Sequence, residues 1–515
     1  MILGRDKICA VVAAPDAKSM AEQLQRALRQ TSTVELRLDW LVDEAQVAQF
    51  LEHLAARKPR GTLIATCRRR EGGGRLDGTI AEELFCLSEA IRAGCTWYDI
   101  EIESAGKCPP ELLEVLLGGG RRLTSAHFFR RMPRNLEQVA AKLARQTNGG
   151  GRSQRGDAVK IAAQCDSLAD SLKLLRLART QKNVVAIPMG DVAQPARLLA
   201  LRERNGFAYA PVENATAPGQ IPLEEMKRVY RADQLNRATQ IYGVIGDPIG
   251  HSLSPVMHNA GYQARKLNAV CLPFLVRDLG DFVRAIGPLG IRGFSVTLPH
   301  KEKILRFLDG CDPLAAKIGA VNTVVVRRGG KLYGYNTDYV GVLQTLERRI
   351  RLRGSRVLIL GAGGAARTVA FALAQAGAAV CVWARRPEKA ESLARAVGGE
   401  AIARERLRKE FFDAIVNATP VGMHPAVNAS PIEARELNCK LVFDTIYRPR
   451  KTKLLQLAAK RGIETVSGVE MFVAQGAAQW EIRTGERAPV AVMKRAVITA
   501  LESEEKKAKQ VRARR

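Results

Sequence analysis

The sequence predicts an α/β protein in two halves. An N-terminal (β/α)8 barrel is followed by a two-lobed α/β unit whose second lobe is a Rossmann-type nucleotide-binding domain. Three observations predict this. Apolar, β-branched runs alternate with helical segments through the first half, making about eight strands in about 215 residues, as a barrel requires. A fresh strand and turn, Ile241–His258 (IYGVIGDPIGHSLSPVMH), then opens what reads as a second protein. Further on, the strand Arg356–Leu360 runs directly into a glycine-rich turn, Gly361–Ala366. A doubly wound sheet accommodates the first-half alternation as well, because periodicity alone does not close a barrel.

The eight runs of the first half are Ile8–Val12, Val34–Leu38, Leu63–Thr66, Trp97–Ile102, Arg122–Ala126, Ala158–Ala162, Val184–Pro188 and Phe207–Pro211. In a barrel, polar residues at or just beyond the C-terminal strand ends converge on one rim and read as functional. Here they are Glu35, Arg37, Arg68, Glu101, His127, Lys160, Arg197 and Gln220. Lys160 lies within DAVKIAA, Asp157–Ala163, with apolar neighbours on both sides. An inward lysine in such a strand is costly to keep charged, and a neutral amine there is a nucleophile. A lysine snorkelling to the strand end fits the same residues. His127 ends its strand in SAHFF, on the strand before that of Lys160. Lysine plus histidine suits imine chemistry on a ketone, in which the lysine activates the neighbouring C–H and the histidine moves protons.

A short polar linker, Arg231–Gln240, joins the halves. In the second half Ser252 and Ser254 stand where a strand hands over to a helix, and two hydroxyls there can hold a carboxylate. SVTLPHK (Ser295–Lys301) presents Thr297 and Lys301, GAVNT (Gly319–Thr323) presents Asn322, and GYNTD (Gly334–Asp338) presents Asp338. A Lys301–Asp338 pair can carry a proton to or from a substrate oxygen while a hydride moves at carbon, although a surface ion pair is the ordinary alternative. The turn GAGGAA supplies Gly361, Ala362, Gly363, Gly364 and Ala365 to a pyrophosphate at a helix N-terminus. The next strand, Ala379–Trp383, ends in Ala384-Arg385-Arg386. An NAD site would place a carboxylate there, whereas two cations favour a 2′-phosphate and hence NADP.

These motifs carry a family resemblance. ELR (Glu35, Arg37), TCR with EGG (Thr66 to Gly73), DIE (Asp99 to Glu101), the His127 and Lys160 strands, PMG followed by Arg197, and APGQ (Ala217 to Gln220) resemble type I 3-dehydroquinate dehydratases. The second-half motifs, with NATPVGM (Asn417–Met423), DTIYRP (Asp444–Pro449) and GVEMFVAQGAAQW (Gly468–Trp480), resemble shikimate dehydrogenases. Together they resemble the fused dehydratase–dehydrogenase over nearly the whole chain. The resemblance implies that Lys160 forms an imine with 3-dehydroquinate and that His127, oriented by Glu101, is general base and acid. Arg197 and Arg68 would bind the substrate carboxylate, and Glu35, Arg37, Thr216 and Gln220 would hold hydroxyls or close a lid. In the second half Ser252, Ser254 and Tyr447 would hold a carboxylate, and Thr297, Asn322 and Gln475 would contact hydroxyls. Lys301 and Asp338 would be the catalytic pair, and Asn417, Thr419, Gly468 and Met471 would border NADP. Four departures stand out: Phe128 replaces the usual acidic residue after the histidine, Thr216 stands where Ser is common, a Gly/Arg-rich insertion spans Gly149–Arg155, and Ala384-Arg385-Arg386 stands where the dehydrogenases carry Asn-Arg-Thr, keeping the key arginine.

The implied domains are residues 1–232, a type I dehydratase barrel, then 240–343, a substrate-binding lobe, and 344–467, a Rossmann lobe. A return to the substrate lobe would occupy 468–503, and 504–515 would be a disordered basic tail. The net charge of +28 raises nucleic-acid binding as a rival reading, but only Lys506–Arg515 is densely basic and no recognition motif accompanies it. A catabolic quinate dehydrogenase using NAD is the nearer rival, and the arginine pair argues against it. Ten scattered cysteines without a C-x-x-C pair argue against structural zinc and a disulfide framework, so no metal is expected. No apolar run reaches the roughly 18–20 residues of a membrane span, and no signal-peptide pattern opens the chain. The expectation is a cytoplasmic monomer or homodimer acting on small molecules, without membrane or nucleic-acid partners.

Overall fold

The computed structural model describes residues 6–148, 157–181, 183–203 and 207–513, so the insertion Gly149–Arg155 lies outside the described residues. The chain divides into two compact units, 1–239 with 273–290, and 240–272 with 291–515.

The first unit is built on eight strands: β1 (Ile8–Val12), β2 (Thr33–Arg37), β3 (Thr62–Thr66), β4 (Trp97–Glu101), β5 (Arg121–Phe128), β6 (Ala158–Gln164), β7 (Val184–Met189) and β8 (Ala208–Pro211). Their order in the sheet is β7-β6-β5-β4-β3-β2-β1-β8. Every pairing among them is parallel. Among the described residues none joins β7 to β8. The eight-stranded parallel barrel that the sequence predicts is therefore present and nearly closed.

Side chains alternate across a strand, and this sorts the barrel. Cys9, Val11, Ile64, Trp97, Leu123, Ala158 and Tyr209 pack together as one buried inner cluster. The intervening residues Val159, Ile161 and Ala163 pack outward against Leu136, Ala140, Leu143, Leu174 and Leu177 of the surrounding helices. Each such side chain, fully buried, contributes about 1.5–3 kcal/mol. The inner parity continues from apolar residues low in each strand to polar ones near its C-terminal end. Trp97 gives way to Asp99 and Glu101, Leu123 to Ser125 and His127, and Ala158 to Lys160. Register then aligns these polar residues across strands: Arg37 with Thr66, Thr66 with Asp99, Glu101 with Ser125, and Ser125 with Lys160.

The second half of the chain holds two six-stranded sheets. The first is mixed and comprises β9 (Gln240–Gly246), β10 (Ala269–Leu275), β11 (Ile291–Val296), β12 (Gly310–Cys311), β13 (Thr323–Val326) and β14 (Leu332–Tyr335). Its order is β10-β9-β11-β13-β14-β12. The other is all parallel: β15 (Arg356–Leu360), β16 (Ala379–Trp383), β17 (Glu400–Ala401), β18 (Phe412–Asn417), β19 (Cys439–Asp444) and β20 (Glu464–Ser467). Its order, β17-β16-β15-β18-β19-β20, reverses direction between β15 and β18. That reversal is the switch point where doubly wound sheets bind dinucleotides.

After β20 the helices Gly468–Thr484 and Val490–Ala513 pack with the first lobe, as Val473, Trp480, Met493 and Val497 share a core with Tyr242, Met257 and Tyr262. The last helix continues through residue 513, where the sequence reading expects a disordered tail. Glu502 and Glu505 pair with Arg450, and Glu504 with Arg448, which anchors the turns before the basic stretch.

Candidate active sites

In the barrel, the aligned polar row closes into a charged net. Lys160, 4% exposed, forms an ion pair with Asp99 and lies 3.9 Å from Glu35 Oε1. The phenol ring of Tyr209 lies 4.9 Å from its ammonium. The inward lysine is thus not isolated but set among carboxylates, because β4 supplies Asp99 at the same depth. Ser125 Oγ donates to Asp99 Oδ1 at 2.6 Å, and Arg68 Nη2 approaches the same oxygen at 3.0 Å. These charges hold the Asp99 carboxyl well below the usual range despite burial, which opposes ionisation.

Arg68 also reaches His127, with Nη1 2.7 Å from Nε2. A guanidinium only donates, so Nε2 accepts and the proton sits on Nδ1, 3.2 Å from Glu101 Oε1. Burial, with Arg68 and Lys160 nearby, pushes the His127 pKa well below its ordinary value, so the ring is neutral at pH 7. Burial pushes the Glu101 carboxyl up to about 7. The His127 ring also lies on Phe129, with centroids 5.8 Å apart. Phe128 points the other way, onto the outer helices, so its replacement of an acidic residue leaves the imidazole's surroundings to Glu101, Arg68 and Phe129.

The loop after β3 covers this net. A Cβ at Gly72 would lie 1.9 Å from Glu101 Oε2, so any larger residue there has to displace the Glu101 carboxylate. Arg37 is fully engaged by Asp39, at 2.9 and 2.8 Å. Arg197 differs from both other arginines. It is 3% exposed, donates to Pro218 O at 2.9 Å, and has no carboxylate within ion-pair distance among the described residues. Burial pulls its pKa down to about 10. Of Arg37, Arg68 and Arg197 it is the one without a carboxylate partner among the described residues, whereas Arg68 is committed to Asp99 and His127. Gln220 Oε1 accepts from the amides of Thr216 and Ala217 at 2.8 and 3.2 Å, which shapes the loop against Arg197. Asp99 is not among the rim residues expected from the sequence. Its two-residue spacing from Glu101 on an inward-facing strand is the signal that finds it.

The second unit brings another lysine–carboxylate pair together. Lys301 Nζ lies 2.6 Å from Asp338 Oδ2. Asn322 Nδ2 donates to Asp338 Oδ1 at 2.8 Å and to Thr337 Oγ1 at 3.1 Å, while its Oδ1 accepts from the Thr337 amide at 2.7 Å. Gln475 reaches the same amide group at 3.5 Å. The pair is partly open, with side chains 30% and 14% exposed. Ser252 and Ser254 sit at the start of the helix Ser254–Ala264, which has no side-chain cap, and the Ser254 amide donates to Ser252 Oγ at 3.3 Å. Arg448 Nη1 donates to His251 O at 3.5 Å and draws the Tyr447 loop to the Ser252 turn. Tyr447 stacks on Phe472 at 4.6 Å, and burial pushes its phenol up. Thr297 is held through its amide to Ile245 O at 2.9 Å.

At the switch point Gly361 has φ +112, and a Cβ there would meet Thr419 Cγ2 at 2.9 Å and Ala418 O at 3.2 Å. Gly363 begins the helix Gly364–Gln375 without any side-chain cap, leaving its first amides open to an anion. Ala362 lines this turn against the lobe's core, and Ala365 lies in the helix's first turn. At the end of β16, Arg385 and Arg386 are exposed and have no carboxylate partner among the described residues. These features fit a dinucleotide with a 2′-phosphate. Asn417 is wholly buried, its Nδ2 donating to Asp444 at 3.0 Å and its Oδ1 accepting from Thr419 Oγ1 at 2.7 Å, so its side chain braces the turn that carries Thr419. Gly468 packs where a Cβ would lie 2.3 Å from Thr445 O, and Met471 leans on the Rossmann core beside Gly341.

Four family models match this chain. Type I 3-dehydroquinase covers residues 8–237, and the shikimate dehydrogenase substrate binding domain covers 244–324. Shikimate / quinate 5-dehydrogenase covers 344–453, and the shikimate 5′-dehydrogenase C-terminal domain covers 468–498. A chloroplastic bifunctional 3-dehydroquinate dehydratase/shikimate dehydrogenase of Arabidopsis thaliana is 33% identical over 94% of this chain and 82% of its own length. The chain belongs to the bifunctional 3-dehydroquinate dehydratase/shikimate dehydrogenase family. A shikimate dehydrogenase (NADP(+)) of Bacillus cereus strain G9842 is 44% identical over 51% of this chain and 99% of its own. A crystal structure of shikimate 5-dehydrogenase from Thermus thermophilus in complex with NADP(H) and shikimate is 37% identical, with TM-score 0.48, covering 51% of this chain and all (100%) of its own. Among the described residues no group of acidic, histidine or cysteine side chains could hold a metal ion, and no helix is long and apolar enough to cross a membrane.

Proposed function

We propose that this chain performs two consecutive reactions. The first unit dehydrates 3-dehydroquinate to 3-dehydroshikimate, and the second reduces that ketone to shikimate with NADPH. The observation that carries this reading is that each unit holds its own lysine–carboxylate centre, Lys160–Asp99 inside the dehydratase match and Lys301–Asp338 with its lysine inside the shikimate dehydrogenase substrate-binding match.

In the barrel, Arg197 takes the substrate carboxylate. Asp99 and Glu35 hold the Lys160 nitrogen in place, and its amine form attacks the ketone to give, with loss of water, a protonated imine. The imine acidifies the adjacent C–H. The neutral imidazole of His127 accepts that proton, with Glu101 steadying the charge that appears on the ring, and returns a proton to the departing hydroxyl. Hydrolysis of the imine restores Lys160. For this to proceed Arg68 must yield Nε2, and its other contacts with Asp99 keep it within the net.

In the second unit, Ser252, Ser254 and Tyr447 take the carboxylate and Thr297, Asn322 and Gln475 the hydroxyls. NADPH, held by the Gly361–Ala365 turn, Thr419, Met471 and the Arg385–Arg386 pair, supplies a hydride when bound. Lys301 delivers a proton to the ketone oxygen, and Asp338 keeps the ammonium oriented. The Lys160 imine, the residue roles and the domain limits 1–232, 240–343, 344–467 and 468–503 are parts of this proposal. So are a cytoplasmic location, a monomer or homodimer, and the absence of a nucleic-acid partner. All ten cysteines are free thiols, which supports a reducing compartment, although the Arabidopsis relative is described as chloroplastic.

The test is to follow NADPH oxidation by the purified chain supplied with 3-dehydroquinate, beside Lys160→Ala. Steady oxidation by the wild type, lost in the variant and restored by 3-dehydroshikimate, is expected. No oxidation with either substrate would refute the reductase assignment, and borohydride trapping of the imine would then decide the dehydratase half.

A further inference from the structure

The helix Gly468–Thr484 carries three polar side chains at spacings of four, Gln475, Gln479 and Arg483, along a face that also packs Val473, Ala477 and Trp480 into the first lobe. Spacing of i, i+4, i+8 lines them along one stripe. Gln475 belongs to the site already described, but Gln479 and Arg483 lie beneath it. Gln479 is 2% exposed. Its Oε1 accepts from Ser295 Oγ at 2.8 Å and stands 3.2 Å from His258 Nε2. Ser295 Oγ in turn accepts from Arg483 Nη2 at 2.8 Å. An amide oxygen cannot donate, so His258 carries its proton on Nε2, and burial pulls its pKa down to about 3. The Gln479 amide is thereby fixed with its oxygen toward Ser295 and His258 and its nitrogen toward Asn322 O, 3.5 Å away.

The arginine is the unusual member. Its Nε and Nη1 are buried without a protein partner, and no carboxylate lies within ion-pair distance among the described residues. Leaving a buried cation so poorly compensated is costly, and sites keep such groups where a task requires them. Every bond of the chain points one way: Arg483 donates to Ser295, Ser295 to Gln479, Gln479 to Asn322, and Asn322 to Asp338. The sheet supports the same route, since Ser295 pairs with Thr323 and the Val296 amide donates to Asn322 O at 2.8 Å.

We infer that Arg483, Ser295 and Gln479 are positioning residues for the reductase centre. They fix the backbone of Asn322, so that its side chain holds Asp338 and, through it, Lys301. The inference rests on the reductase reading above. The test measures 3-dehydroshikimate reduction by the full chain in Arg483→Met, Gln479→Met, Ser295→Ala and the conservative Arg483→Lys. Rates are divided by the number of NADPH-binding sites, counted by fluorescence titration, so that a merely structural role, which lowers the number of sites, leaves the rate per site unmoved. Expected is a loss of about tenfold in kcat per site for Arg483→Met and Gln479→Met, with the NADPH Kd within about twofold of wild type. Arg483→Lys, which keeps a charge and a donor for Ser295, should recover most of it. If Arg483→Met binds no NADPH, Ser295→Ala decides, since it deletes one hydroxyl and must still lower kcat per site at least about threefold. Rates per site within about twofold of wild type in all variants that bind NADPH would overturn the inference. Absence of NADPH oxidation by the wild type would instead overturn the reductase reading, and the positioning role with it.

Discussion

Two lysine–carboxylate pairs sit in one chain under opposite conditions. The side chains of Lys160 and Asp99 are 5% and 0% exposed and are bound into a net with Glu35, Arg68, Glu101 and His127. Lys301 and Asp338 are 30% and 14% exposed, and the carboxylate's other partner is the neutral amide of Asn322. On the proposed reading, a lysine that becomes covalently attached to its substrate must have its proton managed out of contact with water, which calls for several charges at fixed depth. A lysine that only hands a proton to a ketone can stand at a cleft wall with one carboxylate to orient it.

The sharpest way to break this comparison is to remove each lysine in turn. Lys160→Ala should abolish the dehydratase by at least about 10³-fold, because a nucleophile has no substitute, and mass spectrometry after borohydride should find no adduct. Lys301→Ala should lower the reductase kcat by about 10²–10⁴-fold, the usual worth of acid–base assistance, while the dehydratase rate of the same preparation is unchanged. Gly72→Ala probes the density of the buried net: its Cβ collides with Glu101, so dehydratase kcat should fall by about 10–100-fold while 3-dehydroshikimate reduction is untouched. Arg385→Ala probes the open side. The KM for NADPH should rise by about tenfold or more and that for NADH should not, since a charge-assisted bond to a 2′-phosphate is worth about 1.5–3 kcal/mol.

The smallest effect concerns a carboxyl buried without a cation. Asp444 accepts from Thr452, Ile446 and Asn417, yet burial raises it from 3.8 to about 6. Between those values the unfolded chain loses its proton first, so stability falls as pH rises and the penalty is complete above about pH 6. Asp444→Asn carries no such penalty. Its Tm relative to wild type should rise by a few degrees from pH 4 to pH 6 and then hold, in the transition of the second unit.

The strands of the barrel and the inward placement of Lys160, His127 and Glu101 were legible because a two-residue period is a local property. The β15 turn and its arginines were legible for the same reason, as strand, glycines and helix follow one another directly. What escaped was pairing across distance. Asp99 and Lys160 are 61 residues apart in the chain, and only the register of β4, β5 and β6 sets them at one depth. Arg68 reads from sequence as free to take a substrate anion, but Asp99 and His127 already claim it. Asn417 reads as a cofactor contact, and its amide is spent on Asp444 and Thr419. In each case the residue type and strand end were visible, and the competing partner was not.

In the barrel, β1 pairs with β8, Ile8 lying opposite Ala208. Chain entry and exit are therefore neighbours on the same pair of strands. A barrel built so can be spliced in front of another enzyme, or cut away from it, without any strand having to be rethreaded. Fusion at such a seam needs only a joining peptide.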